Sequence, residues 1–406
     1  MEWVYKKLGD LANVSSGGTP RKANKEFWNG DLPWYSSGEL NDYYTNSPNE
    51  YITTPGLEGS NAKLFPKGSL LIGMYDTAAL KMSILDRDGA FNQAIAGVKP
   101  NENIDLSFVL YAITNIKPEL MKQRRGVRQK NLNQGKIKEI PIPALPVSEQ
   151  KRIVAILDQA FADIELARAK TEQNLLNARE LFESYLQQVF SQRGEGWVET
   201  TLGNVCEKVE YGTSSKSQPE GSIPVLRMGN IQGGSFDWDK LVYTDIEEDI
   251  NKLLLKDNDV LFNRTNSPEL VGKTAIYRNE RPAIFAGYLI RIHRKKNLLD
   301  ADYLNYYLNS KKARNHGYKV MSHSTNQANI NGTKLKEYPI NIPDLATQKK
   351  LVKSIRHLEG EIRKIEKIYE GKVSSLEELK NSILHLAFSG ELTKAPDKDT
   401  KTGVAP

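Results

Sequence analysis

Residues able to carry out chemistry are present in this sequence, but their spacing withholds the common reactions. Gly272-Lys273-Thr274 has the ending of a phosphate-binding loop, yet the first glycine such a loop needs falls on Ser267. The nest of backbone amides for a triphosphate is therefore not encoded. Asn266-Ser267-Pro268-Glu269 lacks the Asn-Pro-Pro-Tyr order that positions an exocyclic amine for methyl transfer. Five histidines are scattered with no His-x-x-x-His pair, and Cys206 is the only cysteine. An internal disulfide is excluded, and a cysteine-based zinc site is argued against. No carboxylate pair stands apart from solvated helix charge. A chain without catalysis or metal of its own is expected.

Basic and amide side chains cluster more informatively. Lys122, Arg124, Arg125, Arg128 and Lys130 lie together with no acid between them, beside Gln129 and Asn131. Arg and Lys neutralise phosphates, and Arg, Gln and Asn pair in bidentate fashion with base edges in the major groove. A solvated helix end is the plainer reading of the same charge run. Later in the chain, Ser324, Asn326 and Gln327 make a comparable but less charged polar group. Asn263, Arg264, Thr265 and Asn266 follow a predicted strand and crowd hydrogen-bonding groups into a loop. These four also suit a structural turn in which Asn and Thr cap the backbone. Lys22 and Lys25 follow Gly18-Thr19-Pro20, and Lys216 follows the equivalent Gly212-Thr213. The chemistry this inventory offers is nucleic-acid recognition.

The elements that must position these groups occur twice. Ser148 to Phe190 recurs without a gap as Ala346 to Phe388, 198 positions on: Gln150 returns as Gln348, Val154 as Val352, Leu186 as Leu384. Both copies place apolar residues three and four apart, the spacing of a coiled-coil seam. The first seam runs Ile153, Leu157, Ala160, Ile164, Ala167, Ala178, Leu181, Tyr185, and the second includes Ile355, Ile362, Ile365, Leu379 and Ile383. Forty helical residues span about 60 Å. Both seams turn polar at one slot, Asn174 and Lys372. Either a register-fixing polar pair or a stutter with nothing buried accounts for it. Ser148 and Thr347 are placed to cap the two helices.

What precedes each helix is duplicated too. Trp3-Val4, Leu8-Gly9 and Gly18-Thr19 return as Trp197-Val198, Leu202-Gly203 and Gly212-Thr213, 194 positions on. The offset shrinks to 190 at Leu71/Leu261 and Gly97/Gly287, then grows to 198 at Asn131/Asn329. Two copies that differ by loop insertions on one frame suit two recognition domains with different targets. Strands are expected at Ser69–Ile72, Asp259–Phe262 and Ala283–His293, and helices at Asp105–Ile116 and Ala301–Ser310. Each domain leaves through a proline-rich extended link, at Ile140–Pro146 and Tyr338–Pro343.

The length of 406 residues suggests two or three domains, and the formal charge of +6 permits nucleic acid without demonstrating it. No apolar run is long enough to cross a bilayer. The charged stretch Met1 to Gly9 carries no signal-peptide core, so cytoplasm and no membrane are expected. The expected boundaries are 1–147 for the first domain, 148–192 for its helix, 193–345 for the second domain, 346–392 for its helix and 393–406 for a disordered tail.

Taken whole, the chain resembles the specificity (S) subunit of a Type I restriction–modification enzyme. The resemblance rests on Ile140-Pro141-Ile142-Pro143 running into Ser148-Glu149-Gln150-Lys151-Arg152-Ile153-Val154, on its echo Thr347-Gln348-Lys349-Lys350-Leu351-Val352, on the closing Phe388-Ser389-Gly390-Glu391-Leu392, and on Phe262 to Lys273. It implies an α+β chain: two mixed α/β target-recognition domains in direct repeat, each followed by one long helix, the two helices forming an antiparallel coiled coil. It implies that each domain reads one half of a split double-stranded DNA site and that the helices set the spacer. Two methylation (M) subunits and restriction/motor (R) subunits would be partners, bringing S-adenosylmethionine, ATP and Mg²⁺; this chain would hold no cofactor. Two other readings are a specificity module of another methyltransferase class and a two-domain coiled-coil scaffold that binds no DNA.

Overall fold

The computed structural model describes residues 3–125, 132–324 and 327–393, without the side chains of residues 76 and 123–125. The chain divides into two compact units, Met1–Lys170 with Lys372–Pro406, and Thr171–Gly371.

In the first unit, the strands Val14–Ser16, Ile95–Val98, Leu70–Gly73 and Met82–Ile84 lie side by side in that order, antiparallel throughout. Successive strand residues face opposite sides. Leu70 and Ile72 accordingly pack with Phe108 and Val109 of the helix Leu106–Arg125, and Leu71 packs with Tyr35, Phe65 and Phe91 behind the sheet. The second unit repeats this order with Cys206–Tyr211, Leu289–Arg294, Val260–Asn263 and Thr274–Ile276. There Val260 and Phe262 meet Tyr303 and Leu304 of the helix Ala301–Asn309, while Leu261 meets Tyr277 and Phe285.

The proline links are strands. Pro141–Pro143 pairs antiparallel with Tyr5–Lys7, and Pro339–Ile342 with Val198–Thr201. A two-stranded ribbon consists of edges, where a residue without an N–H is tolerated. The expected strand Ala283–His293 is instead two, Ile284–Phe285 and Leu289–Arg294. Between them Gly287 donates its N–H to Thr213 O at 2.7 Å, and the chain passes from one sheet to the next. The helix expected to stop at Ile116 runs on through Pro118 to Arg125, giving up one backbone bond at the proline.

The duplicated stretches are the long helices Val147–Ser191 and Leu345–Phe388. Ser148 lies inside the first, and Asp344 rather than Thr347 caps the second, accepting from the N–H groups of Ala346 at 2.8 Å and Thr347 at 3.0 Å. Its carboxylate carries the charge that favours a helix N-terminus, which a hydroxyl does not. At the far end Gly390, in the left-handed region at φ 77°, lets Glu391 and Leu392 turn back onto Leu386 O.

Within each unit the two helices run antiparallel. In the first unit Ile153 and Leu157 share a core with Leu384 and Phe388, and further along Glu165 pairs with Lys380 at 2.9 Å. In the second, Arg179 pairs with Glu366 at 2.7 Å, and Leu186 and Val189 share a core with Val352 and Ile355. Three expected seam residues, Leu181, Ile365 and Leu379, are exposed instead. At Leu181 the buried face passes through Ala178 and Leu186, because a 3.6-residue turn drifts away from a strict seven-residue repeat. Asn174 and Lys372 are also exposed, so they are not a polar pair inside the seam; Thr171 is the buried polar residue there.

Each helix end is bolted to a globular domain in the same way. Phe190 packs edge-on between Tyr303 and Tyr307, with ring centroids at 5.2 and 5.5 Å. Phe388 packs on Phe108 at 5.3 Å and on Trp3 at 6.5 Å. Burying one such ring contributes about 1.5–3 kcal/mol. Each helix start is fixed by a buried glutamine, Gln150 or Gln348.

Candidate nucleic-acid interface

Two groups of polar residues that are far apart in the sequence of the second domain share one small sheet. Thr265–Asn266 pairs antiparallel with Gln327–Asn329, which pairs in turn with Ser322–Ser324. Ser324 and Gln327 are exposed at the hairpin end, and Ser324 Oγ donates to Gln327 O at 3.1 Å. Asn326 lies outside the described residues. The strands place side chains alternately on the two faces of this three-stranded sheet. A two-stranded ribbon such as its hairpin of Ser322–Ser324 and Gln327–Asn329 is of a size that the DNA major groove admits.

Behind the hairpin the Asn263–Asn266 loop is held rather than free. Asn263 is fully buried and donates to Leu270 O at 3.2 Å, while its Oδ1 is enclosed without a partner among the described residues. Arg264 spans three segments: its guanidinium lies 4.9 Å from the Tyr211 ring and donates to Gly287 O at 3.2 Å and Asn329 Oδ1 at 3.5 Å. Asn329 in turn donates to Thr265 Oγ1 at 2.7 Å, and Tyr211 Oη accepts from Gly332 N–H at 2.7 Å. Asn266 Oδ1 accepts from Ser267 N–H at 2.9 Å. All four loop residues therefore commit side-chain groups to shaping the loop, Asn266 through its Oδ1, which matches the turn reading of this stretch. Gly272-Lys273-Thr274 leads into the strand Thr274–Ile276 and opens no helix.

The first domain keeps the frame and changes the surface. Ile330 N–H donates to Arg264 O at 2.9 Å in one copy, and Leu132 N–H donates to Met74 O at 3.0 Å in the other. Met74 occupies the place of Arg264 at the 190 offset, and Leu132 that of Ile330 at 198. Lys122 is exposed near the end of the helix Leu106–Arg125, and Arg124 and Arg125 belong to its last turn. Arg128, Gln129, Lys130 and Asn131 lie outside the described residues.

Of the remaining candidates, Lys25 and Lys216 are exposed. Lys22 is engaged: it pairs with Glu50 and stands 4.0 Å from the Trp28 ring and 5.6 Å from Trp34.

A buried ion cluster stiffens the sheet that carries the loop. Arg291, 6% exposed, reaches Glu210 Oε2 at 2.5 Å and Asp259 Oδ2 at 3.0 Å, and His293 Nε2 lies 2.9 Å from Glu210. Burial alone would raise the Glu210 carboxyl, but the hydrogen bonds from Arg291 and His293 outweigh it and hold it down, at about 2. Sequence reading missed this cluster, because Glu210 and Arg291 come from two separate strands and Asp259 from the residue just before a third. Among the described residues no group of three His, Cys, Asp or Glu is arranged to hold a metal, and no helix is long and apolar enough to cross a membrane.

Comparison with known proteins agrees with this architecture. The profile of the Type I restriction modification DNA specificity domain matches residues 1–176 and again 194–370. The Type I restriction enzyme MjaIX specificity subunit of Methanocaldococcus jannaschii is 25% identical over 63% of this chain, and the EcoKI specificity subunit of Escherichia coli is 25% identical over 66%. The chain spans 62% and 61% of the length of these two relatives. A chain from a solved type I R-M system, described in terms of complex assembly and conformational transition, superimposes with a TM-score of 0.80 at 18% identity, covering 96% of this chain and 98% of that one. The crystal structure of the HsdS subunit from Thermoanaerobacter tengcongensis gives 0.62 at 18% identity, covering 96% and 97%. With two matches that together take in most of its length, this chain belongs to the Type I restriction–modification DNA specificity domain family.

Proposed function

We propose that this chain is the non-catalytic specificity subunit of a Type I restriction–modification complex and reads a bipartite double-stranded DNA target. Each globular domain reads one half-site, and the helix pair fixes the unread spacer. The observation that carries the reading is the repeated backbone bond behind the hairpin, Ile330 to Arg264 and Leu132 to Met74, with different side chains around it in each copy. A common frame under a variable polar surface is what two readers of different sequences require.

In this reading Ser324, Asn326, Gln327 and Asn266 face base edges in the second domain, and Gln129 and Asn131 do so in the first. Lys122, Arg124, Arg125, Arg128 and Lys130, with Lys22, Lys25 and Lys216, supply phosphate contacts and hence salt-dependent affinity. Asn263, Arg264 and Thr265 hold the loop that carries Asn266. Methylation and restriction subunits dock on the helices, where Leu176, Leu181 and Ile368 of the second unit and Leu166 and Leu379 of the first are exposed apolar side chains. Those subunits bring S-adenosylmethionine, ATP and Mg²⁺ to the complex in the cytoplasm.

Domain exchange tests the reading. Replacing residues 197–343 with the matching domain of a relative of different specificity should change one half of the methylated motif. A change in both halves would contradict it.

A further inference from the structure

We propose that Lys81 and Lys117 clamp one phosphate of the DNA backbone against the first domain. The proposal rests on the DNA-reading function above and adds a site to it. Both lysines line a cavity of about 240 Å³ together with Leu40, Asn41, Leu80 and Thr114. Among the described residues no carboxylate lines it.

The geometry leaves two ammonium groups short of acceptors. Lys81 Nζ donates to Asn41 Oδ1 at 2.8 Å, which uses one of its three N–H groups. Lys117 is partly buried on the helix Leu106–Arg125 and has no hydrogen-bond acceptor or ion partner among the described residues. Burial, and then the charge of Lys81, push its amine below the ordinary lysine value. Partial burial of an unpaired charge costs free energy unless an opposite charge arrives.

The clamp is built in place. Leu80 sits in the left-handed region at φ 55°, which is uncommon for a residue with a side chain at Cβ. Leu80 N–H donates to Gly73 O at 2.9 Å, and Lys81 O accepts from Gly73 N–H at 2.8 Å. Such strain is retained where the surroundings impose it, often at ligand clamps. The second domain supplies an internal comparison. At the 195 offset that relates Asp105 to Asp300, Lys117 becomes Lys312, and Lys312 donates to Phe190 O at 2.8 Å. One copy satisfies this lysine within the chain, and the other leaves it for a ligand.

A DNA phosphate fits better than an acidic protein segment because of what flanks the cavity. The helix that carries Lys117 continues to Lys122, Arg124 and Arg125. The turn that carries Lys81 follows Met74, whose carbonyl anchors Leu132 beside the polar segment of this domain.

The test uses the chain assembled with its methylation subunits and the cognate duplex. Affinity is measured between 50 and 200 mM salt for the wild type, Lys117→Met and the double variant Lys81→Met/Lys117→Met. The one clamped phosphate contributes about 0.9 to the log–log salt slope, so the double variant should be about 3.5-fold less salt-sensitive over that range, and Lys117→Met no more than that. The motif should not change. Duplexes ethylated at single phosphates provide a second readout: one position should weaken the wild type and leave the double variant indifferent. A wild-type slope and wild-type ethylation pattern in the double variant would overturn the clamp and leave the DNA-reading function standing. Loss of subunit assembly with an unchanged slope would assign the cavity to an acidic protein partner and also overturn it. A wild-type complex with no salt-dependent DNA binding would overturn both. Inorganic phosphate that competes at millimolar concentration while the slope stays unchanged would make the cavity a free-anion site, against the proposal.

Discussion

Gln348 Oε1 accepts a 2.8 Å hydrogen bond from the backbone N–H of Asp300, the residue that caps the helix Ala301–Asn309. Its amide nitrogen donates to Leu298 O and Pro343 O, both at 2.8 Å. Gln150 repeats the arrangement with Asp105 N–H and Leu145 O, again at 2.8 Å. One buried amide therefore ties the start of each long helix to the domain before it, and fixes the direction in which the helix leaves.

Gln348→Leu keeps the volume and orphans one N–H and two carbonyls. A loss of about 2–4 kcal/mol is expected from groups left buried and unpaired. Thermal denaturation of the complex checks it. A variant as stable as the wild type would show that water replaces the amide and that the joint is not specific.

Acid should loosen the second domain through Glu210. Its folded-state carboxyl is depressed from 4.5 to about 2, so its contribution is complete above the unfolded value and is lost as pH falls from about 4.5 through 2. Glu210→Gln should remove that part of the acid limb and, by leaving Arg291 short of one carboxylate, cost about 3–5 kcal/mol at neutral pH. An acid-unfolding curve of unchanged shape in the variant would exclude Glu210 as its source.

Gln327→Ala should act on recognition and not on affinity at large. Loss of one bidentate base contact relaxes a single position of one half-site, by about 1–3 kcal/mol of discrimination. Methylation of a library of variant sites measures it. Uniform weakening across all sequences would make Gln327 a backbone contact instead.

Removing one heptad from each long helix shortens the pair by about 10 Å, close to three base pairs of DNA length. The expected result is a target with the same two half-sites and a spacer about three base pairs shorter. An unchanged spacer, or altered half-sites, would separate spacing from helix length.

These joints and loops divide what sequence can express from what it cannot. The long helices were readable because their apolar spacing repeats along one segment, and the duplicated domains because the same residues return at near-constant offsets. Which apolar residues the helices bury was less readable: Leu181, Ile365 and Leu379 fit the seam by spacing but point to solvent. The loop Asn263–Asn266 was legible as polar, but its division of labour was not. Arg264 reaches across to Tyr211 and Asn329, contacts that no local pattern encodes. The joint between Gln150 and Asp105 bridges 45 residues, and its glutamine was visible only as a repeated letter. The facing of Lys81 and Lys117 depends on a turn at Leu80 that carries no glycine to announce it.

The most direct measurement is single-molecule methylome sequencing of a methylation-free host expressing this chain with its methylation subunit. The account predicts one bipartite motif, two short half-sites around a fixed gap, with adenine modified on both strands. A soluble complex that leaves the genome unmodified, or modifies a single continuous motif, would contradict it.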